Sequence, residues 1–164
     1  MGETVTEQLT AFLRANGAAF TVMSHAPART SEEAARIRGT PLEQGAKALV
    51  FHADDRVVLL VLPADRRIDT RAFKRAYGVK NLRMVSAEDL HALTGLEPGA
   101  VPPFGALFGL PTYVDAQLLA LPRIAFNAGS RSTSVILDTV DYARLADATV
   151  GRFAADAEPS TALA

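Results

Sequence analysis

With 164 residues, 49% of them hydrophobic and 21% charged, the chain is long enough to build one domain around a substantial core. A formal net charge of −1 excludes a general nucleic-acid coat protein, whose affinity rests on many phosphate contacts, but not a protein that reads one end of a nucleic acid. The absence of Cys removes disulfides, thiolate metal sites and a cysteine nucleophile, and His25, His52 and His91 show no helical metal spacing, so no metal or other cofactor is expected.

From Thr4 to Asn16 the apolar residues Val5, Leu9, Phe12 and Leu13 recur at helical spacing, and Gly17 supplies a stop. Glu7 and Arg14 interrupt that segment, so it does not read as a secretion signal. No stretch approaches the roughly 20 apolar residues of a membrane span, and a cytoplasmic protein is the expectation. Phe20 to Met23 reads as a short strand. Thr30-Ser-Glu-Glu33 is a capping box that opens a helix running to about Arg38, ahead of Gly39. Ala46 to His52 and Arg56 to Leu62 read as strands joined by a tight Asp54-Asp55 turn. The second is apolar on both faces, which predicts a central strand. Asp69 or Thr70 caps a helix ending near Gly78, Leu82 to Val85 is a short strand, and Ser86 caps a helix that stops at Gly95. Strands come next at Thr112 to Asp115, Ile124 to Asn127 and Ser134 to Leu137, then a helix from near Thr139 or Asp141. The sum is a mixed α+β domain over residues 1–153, with about seven strands in a curved, barrel-like sheet surrounded by helices. Residues 154–164 are mostly small or polar without periodicity, which predicts a disordered tail.

Between the fourth helix and the next strand, Pro98 to Pro111 carries not one polar side chain, and half of it is Gly or Pro. Ordinary surface loops use Ser, Asp and Asn to solvate their turns; here only peptide amides and carbonyls are polar. The segment is either a loop buried across the core or a wall whose exposed peptide groups hold a ligand. Lys47 shares a strand face with Leu49 and Phe51, opposite Ala48, Val50 and His52. It either sits at the open end of that face and snorkels, or projects into a cleft where its ammonium holds a phosphate or a carbonyl oxygen. The run Asn127-Ala-Gly-Ser-Arg-Ser-Thr-Ser134 forms either a plain hairpin turn or, through Gly129 and Ser130, a nest of N–H groups for an anion.

From Arg66 to Arg83 stand seven of the chain's 17 basic residues, Arg66, Arg67, Arg71, Lys74, Arg75, Lys80 and Arg83, opposed within that span by Asp69 alone. Arg71, Lys74 and Arg75 share one helix face. The cluster is either a solvated surface or a positive field that steers a polyanion. His25, just after a strand, is a candidate base or capping donor. Asp115, at the end of a strand, either orients a ligand or caps the next segment. His52 and His91 are assigned to structure or surface, and no nucleophile elbow, P-loop or dinucleotide fingerprint is present.

Taken together, these residues resemble the YbaK-type family, free-standing relatives of the editing domain inserted in bacterial prolyl-tRNA synthetases. The likeness runs from about Phe20 to Ala148. It is carried by His25 and Thr30, by Gly45-Ala-Lys47-Ala-Leu-Val-Phe51, and by Leu62-Pro-Ala-Asp65 leading to Ile68-Asp69. Gly99-Ala-Val-Pro-Pro103 with Phe104-Gly105, and Ala128-Gly-Ser-Arg131, complete the set. The resemblance implies hydrolysis, in trans, of a small amino acid wrongly esterified to a transfer RNA, such as Ala or Cys on a proline-type tRNA. It places Lys47 in the substrate pocket and makes the Gly99 to Pro103 loop a backbone cradle, with Gly99, Ala100 and Val101 as donors to the developing oxyanion. Pro102, Pro103, Phe104, Gly105 and Leu107 then shape the side-chain pocket. His25, Thr30, Asp115, Gly129 and Ser130 are further expected substrate contacts, and Arg66, Arg67, Arg71, Lys74 and Arg75 the expected tRNA face. The implied partners are the aminoacylated 3′ end of tRNA and, for some members, a synthetase; neither a membrane nor a metal is implied. Pro102 departs from the pattern, because a second proline beside the motif Pro103 removes one backbone donor. The alternative keeps the pocket without catalysis, as a module that binds an amino acid or the tRNA end and modulates a synthetase.

Overall fold

The computed structural model describes residues 4–155. Thr4, Thr30, Asp69 and Ser86 are N-caps, each accepting the backbone N–H three residues on. They open α1 (Val5–Ala15), α2 (Ser31–Arg38), α3 (Thr70–Tyr77) and α4 (Ala87–Thr94). Two further helices are α5 (Ala116–Leu119) and α6 (Thr139–Leu145). The strands are β1 (Phe20–Ser24), β2 (Ala46–Ala53), β3 (Arg56–Pro63), β4 (Leu82–Met84), β5 (Thr112–Asp115), β6 (Arg123–Ser130), β7 (Thr133–Asp138) and β8 (Thr149–Gly151). The four-residue α5 and three-residue β8 are too short to leave a periodic signal, which is why the sequence did not announce them.

Hydrogen bonding divides these strands into two sheets, in the orders β1-β7-β6 and β4-β2-β3-β5-β8. This differs from the single barrel-like sheet expected. One parallel bridge, Gly45 to Ala125, joins the two sheets. Beyond it the free edge of β2 pairs with β4 over Phe51 to Ala53, so no continuous β2–β6 ladder closes a barrel among the described residues. The sheets instead face each other across a core in which Ala48 and Val50 of β2 and Val61 of β3 meet Phe126 of β6, Val135 of β7 and Leu13 of α1. A second core on the far face of the larger sheet holds Phe51, Leu60, Leu62, Tyr113 and Phe153 under Phe73 of α3. The position of β3 between two cores explains why it is apolar on both faces. Val58 to Leu62 are fully buried, each burial worth roughly 1.5–3 kcal/mol.

The β2–β3 turn passes through Asp54 at φ 56°, and its carboxylate accepts N–H bonds from Lys80 and Asn81 just ahead of β4. Those amides hold the Asp54 carboxyl below the usual carboxylate range. At the other end of the chain, Phe153 is buried, Ala154 pairs with Ile68, and the Ala155 N–H donates to Arg67 O at 2.7 Å. The described backbone thus stays paired with the domain as far as Ala155, because Phe153 is anchored in the second core. Residues 156–164, the rest of the expected tail, lie outside the described residues.

Candidate functional site

The start of β2, the inner face of α2 and the loop after α4 converge on a small cleft. Its walls are small: Ala34 from α2, Gly45, Ala46 and Ala48 around the start of β2, and Ala64 after β3. At Gly45 an added Cβ would stand 2.9 Å from Ala64 Cβ and 3.7 Å from Arg38 Nη1, so a side chain there would crowd the wall. The polar side chains are those of Ser31, Arg38, Lys47 and Asn127, and Gly99 and Val101 of the loop after α4 complete the lining. Lys47 is half-buried and lines this cleft, while Phe51, farther along the same strand face, lies in the core beneath α3. Ser31 is 3% exposed, and its hydroxyl has no hydrogen-bond partner among the described residues.

The loop that begins at Pro98 is fixed by its carbonyls. Gly99 O accepts from Asn127 Nδ2 at 2.6 Å, Ala100 O from Gly129 N at 2.8 Å, and Pro103 O from the Tyr142 hydroxyl at 2.9 Å. Burial raises the Tyr142 phenol far above its ordinary value, so it stays a neutral donor. Ala100 N–H is engaged by Glu97 O at 3.0 Å. Gly99 and Val101 N–H meet no protein acceptor among the described residues. A planar trans peptide sets N–H and C=O in opposite directions. Anchoring Ala100 O to β6 therefore turns Val101 N–H away from that strand.

A polar network unannounced by the sequence supports this loop. Arg38, at the end of α2, donates from Nε to Ser134 Oγ at 2.9 Å and from Nη2 to Asn127 Oδ1 at 2.8 Å. Ser134 Oγ also lies 2.7 Å from His25 Nε2, and His25 Nδ1 lies 2.8 Å from Ala26 O. Burial lowers the Arg38 pKa to about 10, and no carboxylate among the described residues pairs with it. His25 was an expected contact; it reaches the cleft through Ser134 and Arg38. Arg38 carries no such expectation, and Asn127 and Ser134 enter the sequence reading only as the ends of the hairpin or nest run. The signal in the sequence was a polar residue inside an apolar strand: Asn127 comes directly after Phe126 and is 5% exposed, and Ser134 is fully buried.

Several expected contacts lie elsewhere. Thr30 caps α2 by accepting Glu33 N–H at 3.0 Å, and its neighbour Ser31 is the residue that lines the cleft. Ala100 lies on an adjoining groove with Pro27, Ser130 and Arg131. Pro102 and Pro103 are buried, and Phe104 packs on Phe12, Phe126 and Tyr142 at centroid distances of 6.1, 5.9 and 5.1 Å. Gly105 donates to Thr112 Oγ1, and Leu107 packs on the same core. Residues 102–107 are thus a crossing loop over the core, in which Phe104 and Leu107 meet other apolar side chains rather than the cleft and Ala106 faces out. Asp115 is 1% exposed and accepts N–H bonds from Gln117, Phe153 and Ala154 at 2.9, 2.8 and 2.8 Å. Its carboxylate is a structural clamp away from the cleft.

The anion nest is also absent from the geometry of 127–134. Gly129 (φ 101°) packs against Thr6 of α1, whose hydroxyl donates to Ala128 O, and its own N–H is engaged by Ala100 O. Ser130 Oγ accepts Ser132 N–H at 3.2 Å, as in a plain hairpin. Of the basic cluster, Arg67, Arg71 and Arg75 are exposed, Lys74 is half-exposed, and Arg66 lies 3.7 Å from Asp65.

The family model described as the aminoacyl-tRNA editing domain matches residues 25–145. The chain is 37% identical over 150 residues to the multifunctional Ser/Thr-tRNA deacylase ProXp-y of Escherichia coli K12, covering 88% of this chain and 90% of that protein. A proline--tRNA ligase of Shouchella clausii is 34% identical over 101 residues, 62% of this chain and 18% of the ligase. A crystal structure of a candidate trans-editing enzyme for prolyl tRNA synthetase superposes with a TM-score of 0.82 at 26% identity, covering 95% of this chain and all of that one.

Proposed function

The chain belongs to the aminoacyl-tRNA editing domain family and is an aminoacyl-tRNA hydrolase; from that premise we propose that its cleft removes, in trans, a small amino acid wrongly esterified to tRNA. The observation that carries this reading is a loop whose carbonyls are tied to protein donors at Gly99, Ala100 and Pro103, while the N–H of Val101, a residue that lines the cleft, meets no protein acceptor among the described residues. Water attacks the ester carbonyl carbon, and negative charge gathers on the carbonyl oxygen. The acyl C–O bond then breaks, the ribose oxygen takes a proton, and free amino acid and tRNA leave. The ester is already activated, so the protein's task is orientation and charge stabilisation rather than supply of a nucleophile. Val101 N–H, with Gly99 N–H, meets the developing oxyanion. Lys47 holds the ester or the terminal phosphate as a compact cation.

The small walls at Ala34, Gly45, Ala46, Ala48 and Ala64 suit a small aminoacyl side chain. Alanine and cysteine fit that description, and the name of the E. coli relative adds serine and threonine. A second sieve of this kind is needed because one methylene is worth only about 1–3 kcal/mol in a binding pocket. The test is deacylation of tRNAs charged with Ala, Cys, Ser, Thr and Pro. Release of one or two of the small residues well above the buffer rate supports the reading. Binding without acceleration for every member turns the cleft into a non-catalytic aminoacyl-tRNA module.

The exposed arginines of α3 supply the field that guides the polyanion. Reversing both charges (Arg71→Glu with Arg75→Glu) is expected to weaken activity on whole tRNA, more at low salt than at high. Each lost phosphate contact flattens the log–log salt dependence by about 0.7–0.9. A salt profile identical to the wild type's would remove α3 from the RNA face.

A further inference from the structure

We infer that Arg38 is a positioning residue of the hydrolytic site, acting through Asn127 on the Gly99 carbonyl and so on the peptide groups that face the ester. The inference rests on the proposed hydrolysis, in which the Gly99 to Val101 loop polarises the substrate.

The proton positions along the network determine one another in turn. Ala26 O can only accept, so in the neutral ring His25 Nδ1 carries the hydrogen and Nε2 accepts from the Ser134 hydroxyl. With its hydrogen so directed, Ser134 Oγ accepts Arg38 Nε–H. Arg38 Nη2–H then requires the oxygen of the Asn127 amide, which turns Nδ2 onto Gly99 O at 2.6 Å. The guanidinium fork thus fixes which way the Asn127 amide points, and the amide fixes the loop. Lysine cannot reproduce this, because one ammonium lacks the planar fork that spans two acceptors.

Stability alone does not account for Arg38. A desolvated cation with neutral acceptors is an expensive way to fill space, and apolar replacements of buried charged groups are often neutral or stabilising. Its place beside Gly45, with Nη1 3.7 Å from where a Cβ would stand, puts it in the cleft wall itself.

Asn127→Asp separates positioning from packing. Aspartate keeps an acceptor for Arg38, now as an ion pair, but replaces the Nδ2 donor with an oxygen that repels Gly99 O. The expected result is an unfolding midpoint at or above the wild type's, a KM within about threefold, and a kcat lowered roughly 10–100-fold. Arg38→Ala should show the same split, and guanidinium chloride at millimolar concentration should restore part of its kcat. Full kcat in Asn127→Asp, or an Arg38→Ala defect confined to stability, overturns the inference. If the wild type hydrolyses no aminoacyl-tRNA, the functional reading fails separately. Hydrogen exchange at the Gly99, Ala100 and Val101 amides then decides the tether: faster exchange in Asn127→Asp keeps it, and unchanged exchange refutes it.

Discussion

Lys47→Ala is expected to slow deacylation by about two to three orders of magnitude while the domain stays folded. The strand that carries it is held by pairing along its length, from Ala46 opposite Pro63 to Ala53 opposite Arg56. Its apolar side chains, not the lysine, fill the two cores. The change in β-propensity on such a strand is about 1 kcal/mol or less, the span of that scale, so the fold is expected to persist. The cleft, by contrast, loses a compact ammonium that the Arg38 guanidinium, already bonded to Ser134 and Asn127, does not replace. The measurement is kcat/KM on the best substrate of the charged-tRNA panel, with a urea midpoint beside it. A variant that keeps its rate would make the ammonium a spectator and leave the loop amides and Arg38 to act without it.

Asp115→Ala should have the largest effect on stability, a loss of about 3–5 kcal/mol, since three backbone N–H groups lose a charged acceptor together. Phe153, whose N–H is one of them, is itself buried against Phe73. Against a total of about 5–15 kcal/mol, that loss leaves a marginal domain. Molecules that remain folded should hydrolyse substrate at the wild-type rate, because the carboxylate does not line the cleft. Urea unfolding with specific activity normalised to the folded fraction tests both halves. Normal stability with a depressed kcat would instead return Asp115 to the substrate.

The helix starts were legible because a cap is a local device: Thr30, Asp69 and Ser86 each bond an amide three residues away. The central strand was legible because burial on both faces writes an unbroken apolar run. The Pro98 to Pro111 loop offered two alternatives, and its parts lie in different places. Gly99 and Val101 line the cleft, whereas 102–107 cross the core. Hydrophobicity cannot separate these, since an apolar residue looks the same facing a ligand or a neighbour. Arg38 was hidden for another reason. A basic residue in the last turn of a helix is ordinarily a surface cation near the dipole's negative end, and nothing local tells that Ser134 and Asn127 pass over it. The division into two sheets was likewise invisible, because it depends on which neighbour takes the free edge of β2.

The parallel pairing of β5 with both β3 and β8 bears on how newly made copies behave. A parallel neighbour cannot be reached by a tight turn, so β3 waits with an open edge while the β4–α4 segment and the long loop are synthesised. β5 in turn waits for β8, and Asp115 for the amides of Phe153 and Ala154. The hairpins β2–β3 and β6–β7 close early, but the sheet that presents Lys47 is sealed last. Until β5 arrives the apolar β3 edge is a template for pairing between nascent chains, and aggregation during expression should begin there.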